Sequence, residues 1–282
     1  MERKVLNYGF VRLVDSMPIA NETDNSSFEA SIAQMARVSY GKGTKSLRED
    51  QALVQYLLEH SHTSPFEGVT LKFHIKMPIF VARQWVRHRT ASINEYSARY
   101  SVMTDEFYVP EASRLNTQDS LNKQMSSSGL ITDQERAVVI FDKMNKDAYS
   151  SYKELLELGL SRELARCVLP VSIYTEMYWV MNLHNLFRFL RLRMDKHAQY
   201  EIIEYANAIY SIMYQICPNI MQCWENSQVN NTNIFADEKK IINECCNLEE
   251  EKLIHLVDSK ENISSRKKTS IKEKLLSIFS KG

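Results

Sequence analysis

Between Gln84 and Tyr100 the chain reads QWVRHRTASINEYSARY, in which Arg87, His88, Arg89, Ser92, Asn94, Glu95, Ser97 and Arg99 leave little room for apolar side chains. A segment of that kind makes a binding surface rather than a core. The guanidinium groups of Arg87, Arg89 and Arg99 repel one another unless anions sit between them, and Glu95 is the one acid within the stretch. Arginine is the side chain suited to bidentate capture of phosphate or carboxylate. The missing partner is therefore an anionic small molecule, against the plainer alternative of a solvated, salt-bridged helix end.

These residues need elements to carry them. Val69, Leu71, Phe73 and Ile75 alternate with Thr70, Lys72, His74 and Lys76, the period of a half-buried strand. Pro78 follows where a helix begins without losing a hydrogen bond, which predicts a short helix over 78–88. On it Arg83 and Arg87 lie one turn apart, as do Gln84 and His88. The Ser- and Asn-rich residues after Arg89 suit a loop whose polar groups bond a ligand.

Further along, SRELARCVLP predicts a short helix capped by Ser161, with Arg162 and Arg166 one turn apart. Residues 174–193 predict one long helix in which Met177, Trp179, Leu183, Leu186, Phe187 and Leu190 are interleaved with Asn182, His184, Arg188, Arg191 and Arg193. Those arginines cannot be buried without partners, so they reach solvent, an anionic ligand or another subunit.

The run RHRTASINEYSARY resembles the signature of the flavin-dependent thymidylate synthases, in which Arg-His-Arg is followed after seven residues by Ser, with Asn-Glu and Arg-Tyr in the same places. The likeness extends upstream through HSHTSPFEG and downstream to RMDKHAQYEI, covering residues 1–224. It implies an α+β fold, a helix-rich single domain around a small, mainly antiparallel sheet, over residues 1–227. A charged, partly helical extension follows over 228–282. It also implies reductive methylation of dUMP to dTMP, with 5,10-methylenetetrahydrofolate as carbon donor and NADPH-reduced FAD as hydride source, in a homotetramer whose active sites lie between subunits.

By the same resemblance dUMP is bound by Gln84, Arg87, Glu95, Tyr96, Ser97, Ala98, Arg99, Arg166 and Arg193, and Arg193 is the catalytic residue, stabilising charge at the uracil. FAD contacts are implied for Ser39, Ser64, Glu67, Arg87, His88, Arg89, Glu95, Asn182, His184, Arg188 and His197, with His62 and His88 near the folate. The family commonly has His where this chain has Gly68, a departure at the folate entrance. Arg162 reads as a surface charge. Cys167 has no neighbouring histidine and Ser97 no adjacent base, so neither reads as a nucleophile; reduced flavin carries the hard step instead. Two rivals remain: a noncatalytic RNA-binding module using Trp85, Tyr96 and Tyr100 to stack bases, and a flavin or nucleotide sensor that has lost activity.

Composition bounds these readings. Of 282 residues 44% are hydrophobic and 25% charged, and 35 basic side chains balance 35 acidic ones, which disfavours a general nucleic-acid binder. With 7 glycines and 6 prolines there are few breakers, so the fold is helix-rich. No apolar run reaches membrane-spanning length and MERKVLNYGFVRLVDSM lacks a secretion-signal core, so no membrane partner is expected. Five cysteines without metal-type spacing suggest a reduced compartment, the cytoplasm. His60 and His62 lack a Cys or clustered acid to complete a metal set, so no metal is expected.

Overall fold

The computed structural model describes residues 1–20, 27–38, 47–120, 122–231, 238–239, 241–242, 250–261, 263 and 265–279. The chain divides into two compact units, Met1–Asn230 and Asn231–Gly282.

The first unit is built on a five-stranded antiparallel sheet. Residues 4–15 read in the sequence as a strand or a hairpin; β1 (Glu2–Val5) and β2 (Gly9–Met17) form a hairpin, and β3 (Thr70–Pro78) lies beside β2. β7 (Tyr174–Asn182) pairs with β3, and β4 (Ser92–Glu95) closes the far edge. The spatial order is β1-β2-β3-β7-β4.

β3 shows the alternation read from its sequence: Leu71, Phe73, Ile75 and Met77 are fully buried, while Lys72, His74 and Lys76 face the other way. The long helix expected over 174–193 is instead a strand followed by a helix. Met177, Trp179 and Met181 point into the core and Glu176, Tyr178 and Val180 away from it, a period of two that the apolar neighbours on both sides disguised as a helical stripe. Asn182 then caps α7 (Leu183–Arg193), its Oδ1 accepting from the Asn185 amide at 3.0 Å. The residues after Arg89 also differ from expectation. Ser92–Glu95 is an edge strand on β7, all four residues exposed, so its pairing rests on the backbone and leaves no apolar alternation to read.

Helices cover the inner face. α4 (Ile79–Trp85) is shorter than expected, because after Trp85 the chain tightens into turns, Arg87 N bonding Gln84 O and His88 N bonding Trp85 O. Trp85, Trp179 and Phe189 pack with ring centroids 4.6–5.1 Å apart, joining α4, β7 and α7. α8 (Tyr200–Ile216) and α9 (Pro218–Trp224) complete this core. Each fully buried large apolar side chain here contributes about 1.5–3 kcal/mol.

Over residues 26–38 the sequence predicts a helix capped by Ser26 with Ala30, Ile32, Met35 and Val38 facing inward. α1 (Ser27–Arg37) does bury Ile32, with Phe28, Glu29 and Ala33, but leaves Met35 and Val38 exposed, and Ser26 lies outside the described residues. α2 (Leu47–Glu59) leads to α3 (Ser64–Glu67), which Pro65 opens rather than breaks. The polar stretch 105–129, whose sequence reads as a surface loop with a short helix, holds a helical turn at Ala112–Arg114. It carries a two-stranded hairpin, β5 (Asn116–Gln118) and β6 (Ser126–Leu130). The sequence offers Thr132 with Glu135 as a helix cap, but α5 (Gln134–Glu157) is capped by Asp133, whose side chain accepts from the Arg136 amide, and it ends before Gly159 at φ 85°. With α6 (Arg162–Ala165) it covers a smaller core of Met103, Phe107, Tyr152, Ala165 and Ile173.

In the second unit α10 (Glu250–Asp258) and α11 (Ser265–Phe279) are joined by Lys272 Nζ to Asp258 at 2.6 Å. Cys245 and Cys246 lie outside the described residues. Among the described residues no helix is long and apolar enough to cross a membrane.

Candidate functional site

α7 buries Leu183, Leu186, Phe187, Phe189 and Leu190 against the sheet, which leaves Arg193 in its last turn beside the end of α4. There the Arg193 Nε donates to His88 Nε2 at 2.9 Å and Nη2 donates to the Gln84 carbonyl at 3.1 Å. A carbonyl at a helix C-terminus is a favourable place for a cation. Neither bond neutralises it. Burial lowers the Arg193 pKa, a sign that its charge is partly desolvated.

His88 is set by the same contact. Burial first, then the charges of Arg193 and Arg188, lower its pKa to about 4. It is neutral at pH 7, and since Nε2 accepts from Arg193 the ring proton sits on Nδ1. Phe189 meets the ring edge-on at 4.9 Å. Gln84 places its amide on Gln199, the residue preceding α8.

A second group forms where β4 runs out. Glu95 accepts from the buried Thr175 hydroxyl at 2.8 Å, and the Tyr96 amide donates to the Glu176 carbonyl at 2.8 Å. A tight turn follows, in which the amides of Tyr100 and Ser101 donate to the Ser97 carbonyl and the Arg99 amide to Ser97 Oγ. Arg99 Nη2 reaches Glu163 Oε2 at 3.3 Å, and Arg166 Nε donates to the Glu163 carbonyl at 3.3 Å. Arg99, Glu163 and Arg166 are all exposed.

The remaining candidates line the α2–α3 corner and the two ends of α7. His62, Ser64 and Glu67 are exposed, with Thr63 Oγ1 donating to Glu67 at 3.3 Å. Phe66 of α3 packs on Phe187 of α7 at 6.1 Å, which ties this corner to the helix bearing His184 and Arg188. Asn182 spends its Oδ1 on capping, leaving its amide N–H groups for other partners. His197 Nδ1 donates to Asp195 Oδ1 at 2.7 Å, and bonds from the His197 amide and ring hold the Asp195 carboxyl below its usual range. Gly68 has an ordinary right-handed conformation, so its backbone does not demand glycine; a Cβ there would overlap the Met35 sulfur. Ser39 lies outside the described residues.

The structure thus brings Gln84, His88 and Arg193 into one group, and Ser97, Arg99 and Arg166 into another. Among the described residues no hydrogen bond or ion pair joins them. Sequence reasoning missed Thr175, Glu163, Asp195 and Gln199, each a partner of an expected site residue. Asp195 and Glu163 carried a signal in their closeness to His197 and Arg166; Thr175, read as helical, carried none.

Among the described residues Arg87, Arg89, Arg188, Arg191 and Arg193 have no carboxylate partner. Such a surplus fits phosphorylated ligands, a dinucleotide cofactor included. No group of three His, Cys, Asp or Glu among the described residues is placed to hold a metal.

The family model described as "Thymidylate synthase complementing protein" matches residues 20–219. The chain is 48% identical over 243 residues to the flavin-dependent thymidylate synthase of Treponema denticola, across 86% of this chain and 88% of that one. It is 53% identical over 220 residues to that of Dictyostelium discoideum, across 77% of this chain and 71% of the relative. Among solved structures, the UMP/dUMP methylase PolB of Streptomyces cacaoi bound with 5-Br dUMP aligns with a TM-score of 0.69 and 30% identity, over 79% of this chain and 97% of that one. An antiparallel sheet that sets Arg193 against His88, an intact RHR–Ser–Arg signature and relatives about half identical over most of their length converge: the chain belongs to the flavin-dependent thymidylate synthase family.

Proposed function

We propose that this chain converts dUMP to dTMP by reductive methylation, with 5,10-methylenetetrahydrofolate as carbon donor and NADPH as reductant of a bound FAD. The observation that carries this reading is Arg193. It is partly desolvated and bonded to a neutral imidazole and a carbonyl, with no carboxylate partner among the described residues. Such a cation stabilises negative charge developing on a uracil ring as C5 gains electron density, and it does so more strongly than a solvated one.

Gln84 and Arg87 bind the nucleotide from the Arg193 side, and Glu95, Tyr96, Ser97, Ala98, Arg99 and Arg166 from the β4 turn, with arginines on the phosphate. The bromo-dUMP in the PolB structure supports a uracil nucleotide as substrate. Ser64, Glu67, Arg87, His88, Arg89, Glu95, Asn182, His184, Arg188 and His197 hold FAD, with Ser39 in the same set by resemblance. When bound and reduced, FAD supplies the hydride. His62 and His88 face the folate; a neutral His88 adds an aromatic plane without adding to the surrounding positive charge.

The family resemblance implies a homotetramer with active sites between subunits, in which each of the two residue groups meets its complement on another subunit. Cys167 and Cys217 carry free thiols, in keeping with a reducing cytoplasm. The test is an absorbance spectrum of the purified protein with and without dUMP, followed by NADPH oxidation with every reactant. The expected result is a flavin spectrum perturbed by dUMP, and dTMP formed in step with dUMP-dependent NADPH consumption. A colourless protein that makes no dTMP when given FAD overturns the proposal.

A further inference from the structure

Building on that reading of the turn after β4 as the nucleotide's phosphate cradle, we propose that Arg162 is a positioning residue for dUMP binding. Arg162 opens α6 and is exposed, yet its Nη1 donates to the Tyr100 carbonyl at 3.2 Å. Tyr100 is the residue whose amide closes the turn back onto the Ser97 carbonyl at 3.0 Å. α6 therefore grips two successive residues: Arg99 by its side chain, through Glu163, and Tyr100 by its main chain, through Arg162.

The two grips differ in what a ligand does to them. Arg99 must release Glu163 to meet a phosphate, so that contact belongs to the empty enzyme. The Tyr100 carbonyl has no such duty, and the Arg162 bond survives when the nucleotide binds. Arg162 makes no ion pair among the described residues, although Glu163 is its neighbour in sequence. A guanidinium directed at a neutral carbonyl rather than at the adjacent acid orders a backbone; it does not decorate a helix.

If the turn is less often in its binding-competent shape, apparent affinity falls by the competent fraction while the bound complex reacts as before. The effect thus falls on KM and Kd for dUMP. The test compares Arg162→Met, which cannot bond the carbonyl, with Arg162→Lys, which can, in the full-length FAD-loaded enzyme. Steady-state kinetics are combined with a dUMP titration followed by the flavin spectrum. Arg162→Met is expected to raise KM and Kd for dUMP about five- to tenfold, an equilibrium loss in the range of one hydrogen bond. The kcat, the KM for methylenetetrahydrofolate and the melting temperature stay near wild type, and Arg162→Lys recovers most of the dUMP affinity.

An unchanged dUMP KM in Arg162→Met overturns the proposal. So does a parallel loss in kcat and in both KM values, or an equal defect in Arg162→Lys. Wild-type dTMP formation, measured first, separates this outcome from failure of the underlying reading: an active wild type with an indifferent Arg162→Met sinks only the positioning role.

Discussion

Two arginine groups in this molecule sit a few elements apart and are built on different physics. Arg193 is partly buried, bonded to the neutral His88 and a helix-end carbonyl, and lacks a carboxylate partner among the described residues. Arg99 is exposed and held by Glu163, with Arg166 on the carbonyl of the same residue. Desolvation makes the first group's field strong and fixed, suited to charge that appears during a reaction. Solvent and a carboxylate screen the second, which suits capture of a charge already present on the ligand. On the proposed function, this contrast predicts that the α4–α7 corner governs turnover and the β4 turn governs nucleotide affinity.

Removing Arg193 tests that division most severely. Arg193→Ala is expected to cut kcat on the order of a hundredfold or more, the scale of losing a preorganised electrostatic stabiliser. FAD should remain bound, as seen in the visible spectrum. A variant with near wild-type kcat would erase the distinction between the groups.

The β4 turn should answer with the opposite signature. Arg99→Ala and Arg166→Ala are each expected to raise KM for dUMP about tenfold, a charged hydrogen bond's worth, with kcat within a few-fold of wild type. Because these groups are exposed, added salt should raise the wild-type KM for dUMP while leaving kcat flat. If salt lowers kcat instead, Arg193 is not shielded from solvent in the way its contacts indicate.

Much of this was legible in the chain, though unevenly. The alternation over residues 69–76 predicts β3 because one of its faces is buried and the other is not, and the signature from Arg87 to Tyr100 identifies the family. β7 was misread because Met and aromatic residues satisfy a helix stripe and a strand's inner face alike, and the strand's partners are far away in sequence: Phe73 for Trp179, Ser92 for Val180. β4 was missed because an exposed edge strand earns its place through main-chain bonds, which side-chain pattern does not report. The pairing of Glu95 with Thr175 follows from both misread strands.

That pairing offers a finer probe. Thr175→Val keeps the shape of a buried side chain but removes the hydroxyl donating to Glu95 at 2.8 Å. The expected cost is about fivefold in kcat/KM, near the net value of one ordinary hydrogen bond, and Thr175→Ser should restore most of it. Equal activity of the valine and serine variants would detach Glu95 from the β4 group's function.

The smallest expected effect concerns stability and isolates the electrostatics of the α4–α7 corner. His88 takes up its proton near pH 4 in the folded protein, whereas an unfolded chain takes it up near 6.5. Between those values the unfolded state binds more protons than the native one, so the stability due to His88 falls as pH drops through the window and is constant above it. His88→Gln does not titrate and can still accept from Arg193 through its side-chain oxygen. Melting temperatures measured at intervals from about pH 7.5 to 4.5 should therefore decline more steeply for wild type than for His88→Gln below pH 6.5, and run parallel above it. Parallel curves throughout would mean that His88 is not kept neutral by burial and its arginine neighbours. The Arg193 charge would then rest against a second cation at mildly acidic pH, a poor arrangement for the anion-stabilising role proposed for it.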